Sequence, residues 1–184
     1  MLSFKASLQG QLILDSGKLI GSYFDRSVIL ICRHDASGCF GLVLSRPMSR
    51  TLGSVVSVPL KEPLSSIPMH QGGPVQPEAI SFLHERGLPD GEVIPGVSLS
   101  HSLEPLKESW IFEESSRIHA YVGYAGWTGG QLEKEMKTHC WLTHKASPDL
   151  IFHPNPRQLW YQILKEKGGL FELMSKSPDN PALN

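Results

Sequence analysis

The sequence has no apolar run near the ~20 residues that a membrane-spanning helix requires. It is poor in cysteine, with Cys32, Cys39 and Cys140 the three in 184 residues. So few thiols, odd in number, do not make a disulfide framework, and reduced cysteines in a cytoplasmic setting are expected. It also lacks a dominant charge: 17 Lys and Arg stand against 18 Asp and Glu, for a formal net charge of −1. The cations are scattered singly, whereas nucleic-acid binding needs several phosphate-neutralising cations on one surface. Direct contact with nucleic acid or with a membrane surface therefore has no support. The opening MLSFKASLQGQLILDSG carries one early lysine but no long apolar core and no small-residue cleavage pattern, so it reads as mature protein.

Catalytic motifs are missing as well. There is no G-x-S-x-G elbow, H-E-x-x-H, H-x-H or C-x-x-C. Of the eight histidines, His139 with Cys140, His144 and His153 comes nearest to a metal set. Read as neighbours on a helix, His139 and Cys140 point about 100° apart and chelate poorly. Glu133 and Glu135 fall on different helix faces and make no acid–base pair. No catalytic residue, metal or cofactor is expected.

What is present suits one α+β domain over residues 1–174 with a frayed tail over 175–184. SVILICRH (27–34) and CFGLVLS (39–45) read as strands joined by the turn residues DASG (35–38), giving an antiparallel hairpin. That register sets His34 opposite Cys39, with Cys32 diagonal on the same face. A short helix is expected near Leu52–Val56, and strands at 68–71 and 79–85. Residues 86–96 read as loop, and 102–114 as a helix. In RIHAYVGYAGW (117–127), Ile118, Ala120, Val122 and Tyr124 alternate onto one strand face. A helix over about 129–141 carries Leu132, Met136 and Cys140, PDLIF (148–152) reads as a strand, and a final helix starts at NPRQ (155–158) and ends at Gly168-Gly169. An early hairpin with later helices argues against a regular βαβ array.

Two glycine-rich segments are the candidate sites. GYAGWTGGQLEKE (123–135) runs strand, turn, helix, but Gly123, Gly126, Gly129 and Gly130 match neither the dinucleotide fingerprint nor a P-loop. Thr128 and Gln131 are spaced as a capping box, and Glu133 and Glu135 complement the helix dipole, so the turn suits a neutral or cationic ligand better than an anion. The plainer reading is a capped turn that lets Trp127 pack. HQGGPV (70–75) offers adjacent glycines able to form a backbone nest, against the plainer reading of a turn before Pro74. The candidate ligand-binding set is His34, Arg46, Gly72, Gly73, Pro74, Gly126, Trp127, Gly129, Gly130, Gln131 and Glu133. A Cys–His pair in the hairpin is the minimal form of an activated thiolate, but Cys32 sits in an apolar run with no orienting third group.

GQLILDSG, SVILICRHDASGCFGLVLSRP, HQGGPV and YVGYAGWTGGQLEKEMKTHCWL together resemble the YqgE/AlgH family of bacterial proteins, in the same order from about Gln9 to Gly169. The resemblance implies a mixed, largely antiparallel bifurcated sheet with a small barrel-like part, surrounded by helices. Members are often described as transcriptional regulators without an established mechanism, and no catalytic residues carry over. Ser45 and Arg33 depart from the Asn and Glu common at those positions. Three functions follow as expectations: a regulator acting indirectly through a small-molecule or protein partner; a hydrolase- or transferase-type enzyme using backbone N–H groups at Gly72-Gly73 with His34 or Glu133 as base; and a direct DNA-binding regulator.

Overall fold

The structure, a computed structural model, describes residues 7–57, 59–85, 91–103 and 116–176. Among them are strands β1 (Gln11–Asp15), β2 (Val28–Asp35), β3 (Gly38–Val43), β4 (Pro47–Thr51), β5 (Pro68–Gln71), β6 (Val75–Glu85), β7 (Glu92–Ile94), β8 (Val97–Ser100), β9 (Ile118–Thr128) and β10 (Trp141–Lys145). Helices α1 (Gln131–Lys137), α2 (Pro148–Ile151), α3 (Leu159–Lys167) and α4 (Gly169–Ser175) come late in the chain. The fold is α+β, with the mixed and mostly antiparallel sheet that the family resemblance implies.

The sheet runs β10-β1-β2-β3-β9-β6-β8-β7, and every pair along that path is antiparallel. It divides at β9. One edge of β9 pairs with β3 through Ala125–Thr128 and with the parallel strand β5 through Ala120–Val122, and β4 extends the β5 branch. At the fork, Gly72 donates its N–H to the Val122 carbonyl (2.8 Å), and its own carbonyl accepts from Val43 N–H (2.9 Å). The backbones meet so closely that a Cβ on Gly72 would stand 2.4 Å from the Gly123 carbonyl oxygen. A Cβ on Gly73 would lie 2.0 Å from the Tyr124 carbonyl carbon. Glycine is required there by contact, not merely permitted by the turn.

Both faces of the sheet are covered, which explains the unbroken apolar stretch in β1. Leu12 and Leu14 join a core inside the curl, with Leu30, Leu42, Tyr121 and, from α3, Trp160, Ile163 and Leu164. Ile13 points the other way, into a second core with Ile29, Ile31, Trp127, Trp141 and Leu132 of α1. A third core lies under the β5 branch, around Leu52, Ile67, Met69, Phe82 and Ala120. The curl brings β7 back toward β1, where a Cβ on Gly10 would stand 3.0 Å from the Val93 carbonyl oxygen.

The hairpin forms with the expected His34↔Cys39 pairing, on a tighter loop because Asp35 also pairs with Gly38. Other expectations need correction. A bulge lies between Ile31 and Arg33, so Cys32 turns into the core inside the curl while Cys39 packs into the second core. Gly123, at φ +65°, likewise interrupts the alternation of β9. Ile118, Ala120 and Val122 pack under the β5 branch, but Tyr124 packs with Tyr121 and Phe40 instead. α1 ends at Lys137; His139 takes φ +56° and Cys140 leads into β10. His139 and Cys140 are therefore not helical neighbours. Residues 148–151 are helix, not strand, because Ser147 caps Leu150 N–H and Pro148 sits in the first turn. Pro47 opens β4, four residues after β3 ends at Val43, and the helix expected over 102–114 lies largely outside the described residues.

One buried cluster is electrically odd. His70 of β5 is 2% exposed, and its ring lies 4.5 Å from that of His119 and 5.1 Å from that of Tyr121. The Nδ1 atoms of both histidines and the Tyr121 hydroxyl are buried without a hydrogen-bond partner among the described residues. Burial pushes His70 down to about 4; burial, then His70 and Arg117, push His119 down to about 3. Both rings are neutral in the fold near pH 7, whereas the unfolded chain takes up their protons below about 6.5. This contribution to stability is full above pH 6.5 and is lost as pH falls toward 4 and 3, by roughly 3 kcal/mol for His70 alone. Urea titrations between pH 7.5 and 5 are expected to show a falling midpoint, with a shallower fall in His70→Phe. At the fork, Gly73→Ala is expected to cost about 3 kcal/mol or more, or to prevent folding, by the same measurement at pH 7.5.

Candidate functional site

After Gly123, β9 alternates again. Ala125 and Trp127 enter the core beneath α1, while Tyr124, Gly126 and Thr128 take the opposite face. Gly129 then passes the hairpin tip, where a Cβ would stand 2.6 Å from the Ala36 carbonyl oxygen. Gly130 turns the chain in the left-handed region (φ +77°) and is the N-cap residue of α1.

Only half of the expected capping box forms. Gln131 Oε1 accepts from Thr128 N–H (3.1 Å) and Thr128 Oγ1–H (3.3 Å), and no side chain caps the helix. The helix is held by tertiary contacts instead. Glu135 Oε2 accepts from the indole N–H of Trp127 and that of Trp141, each at 2.8 Å, while Oε1 accepts from Gln131 Nε2 at 3.1 Å. Glu133 Oε1 lies 3.1 Å from His34 Nε2. His34 Nδ1 accepts from Leu8 N–H (3.0 Å), so the ring proton sits on Nε2 and is donated to Glu133.

These contacts define what the turn can do chemically. His34 is bonded through both ring nitrogens, and the Gly72 N–H is committed to Val122. Burial, then the charges of Glu133 and Asp35, push the Cys39 thiol up to about 12; burial also raises Cys32. Neither is a thiolate near neutral pH. Arg46 points elsewhere, with Nη2 donating to the Tyr23 and Asp25 carbonyls and its guanidinium over the Tyr23 ring. The two glycine-rich segments therefore meet as backbone packed on backbone at the fork, with Pro74 exposed beside them.

Gly126, Trp127 and Gln131 line an open groove of about 490 Å³ between the hairpin tip and the end of β9. Its other walls come from strand register. Arg33 of β2 lies opposite Phe40 of β3, Phe40 opposite Gly126, and Tyr124 opposite Val75 of β6. The Tyr124 ring leans over Gly126, where a Cβ would come 3.0 Å from Cε2, and packs against Phe40 with centroids 4.8 Å apart and the planes tilted by 31°. Gly126 thus leaves room for an aromatic shelf. Gly72, Gly73, Pro74, His34, Arg46, Gly129, Gly130 and Glu133 are not among the groove-lining residues. Sequence reasoning missed Phe40 and Tyr124 and named Arg33 only as a departure from the family pattern, although a signal was available: the register that pairs His34 with Cys39 also pairs Arg33 with Phe40. Of the two departures from the family pattern, Arg33 stands at the groove, while the Ser45 hydroxyl accepts from Val28 N–H (3.1 Å).

A sheet split by glycine contacts at β9, with a short helix tied to the end of that strand, defines a particular class of α+β protein. The chain belongs to the AlgH-like family, whose model matches residues 12–172. It is 35% identical over 189 residues to a UPF0301 protein of Chlorobium phaeobacteroides, covering 98% of both chains. It is likewise 35% identical to one of Chlorobium luteolum, covering 98% of this chain and 97% of the relative. The solution structure of the AlgH protein from Pseudomonas aeruginosa superposes with a TM-score of 0.71 at 26% identity, covering 97% of this chain and 98% of that one. A crystal structure from Corynebacterium diphtheriae gives a TM-score of 0.76 at 19% identity, covering 96% and 95%, and shows the fold alone.

Glu135→Ala would strand two indole N–H groups in a partly buried site. A loss of about 3 kcal/mol is expected by chemical denaturation, with altered tryptophan fluorescence. Glu135→Gln keeps an acceptor oxygen and is expected to lose less.

Proposed function

We propose that the chain is a non-catalytic binding protein: a cytoplasmic regulator that acts through a small-molecule or protein partner, without direct contact with DNA. The observation that carries this reading is the groove over Gly126. It combines an aromatic shelf with an exposed charged rim, next to a turn whose polar side chains are committed to holding α1. An enzyme using Gly72-Gly73 as oxyanion donors would need the N–H that Val122 holds and a base other than a doubly bonded His34. The near-zero net charge of −1 gives DNA contact no support. Among the described residues, no helix is long and apolar enough to cross a membrane.

A thermal-shift screen of the full chain against neutral, cationic and anionic metabolites is expected to give at least one compound that raises Tm in wild type but not in Tyr124→Ala. Stabilisation that survives this substitution for every active compound would sink the groove reading. Gel-shift measurements with duplex DNA are expected to show no retention even at low salt; salt-sensitive retention would favour the DNA-binding alternative.

A further inference from the structure

The residues next to the turn in sequence point to a neutral or cationic ligand, but the fold adds a cation from another strand. Arg33 reaches the groove because the bulge at Ile31–Arg33 rotates it onto the face that carries Phe40 and Tyr124. It is exposed, and its charge acts on Asp35 and on His101. Of the acidic groups nearby, Asp35 lines the same groove and keeps its negative charge, whereas Glu133 and Glu135 do not line it. Asp35 Oδ1 accepts from both the N–H and the hydroxyl of Ser37, bonds that hold its carboxyl below the usual range, with Arg33 adding to the effect. Glu133 faces His34, and Glu135 faces the two indoles. The Gln131 amide is engaged at both its oxygen and its nitrogen. The groove thus pairs a guanidinium that faces Asp35 and His101 with a tilted Phe40–Tyr124 ring pair, and His101 sets its ring edge-on to Phe40 at 5.7 Å.

We propose that this groove takes a planar aromatic ligand bearing an anionic carboxylate or phosphate, with the ring on Phe40 and Tyr124 and the anion on Arg33. The inference rests on the groove reading above and adds the ligand's charge and shape. A guanidinium binds either anion through two parallel N–H donors, and aromatic rings accept a planar partner by stacking. A groove of about 490 Å³ is large enough for a ring with its appended anion.

The test is an amide-resolved NMR titration of the ¹⁵N-labelled full-length chain. The anionic probes are 5′-AMP and indole-3-acetate, their neutral counterparts adenosine and indole-3-acetamide, and tryptamine is the cation. At least one anion is expected to shift the amides of Phe40, Tyr124, Gly126 and Thr128 and to bind at least about tenfold more tightly than its neutral counterpart. Comparison of the two anions identifies phosphate or carboxylate as the preferred group. Arg33→Gln is expected to bring the anion down to the affinity of its neutral counterpart and leave the latter unchanged. Tyr124→Leu should weaken both. Equal binding of anion and neutral compound by wild type would overturn the inference, as would a preference that survives Arg33→Gln or shifts confined to another surface. Binding of tryptamine or the neutral compounds alone would overturn the anion assignment while the groove reading stands. No movement of the groove amides with any probe would remove both.

Discussion

The contact on which this architecture depends is backbone against backbone, between Gly72–Gly73 and Gly123–Ala125. Side chains are excluded there by distances of 2.0 to 2.4 Å, so the approach exists only while the glycines do. Because of it, β9 can give one half of an edge to β3 and the other half to β5, and both branches share a single central strand. Three cores follow from that division, and so does the change of face along β9 that brings Tyr124 over Gly126.

The fork also sorts polar from apolar chemistry. On the α1 side of the sheet, polar atoms are committed in pairs: His34 with Glu133, Trp127 and Trp141 with Glu135, and Gln131 with Thr128. On the opposite face near the hairpin tip, aromatic surface and one guanidinium stay accessible. Conspicuous glycines therefore serve two ends. Those at 72, 73 and 123 are structural, whereas Gly126 shapes a surface. Only the packing distinguishes them, because in the sequence each is simply a glycine near a turn.

Much of the fold was legible from residue pattern. DASG fixed the hairpin register through its turn chemistry, and Gly168 ended α3 as its position predicts. The misses have physical causes. WLTHK continues from α1 with no glycine or proline before it, so β10 carries no punctuation. PDLIF is too short for its period to separate strand from helix, and the Ser147 cap decided it. The bulge at Cys32 and the kink at Gly123 depend on partner strands and leave no periodic trace. At the site, the turn itself was visible, and its neighbours Arg33, Phe40 and Tyr124 were recoverable from register; the commitments of His34 and Gly72 required three-dimensional proximity.

The tie from Glu135 to two indoles has a consequence for the order in which the molecule assembles. α1 spans seven residues and lacks a side-chain cap, so it is too short to persist as an isolated helix. Its partners Trp127 and Trp141 lie on β9 and β10, strands separated in the sheet by β1, β2 and β3. The segment most easily identified from local sequence is therefore among the last that can become ordered, since both anchoring strands must already be in place. Transplanted into another protein, GWTGGQLEKE would carry its spelling but not its shape.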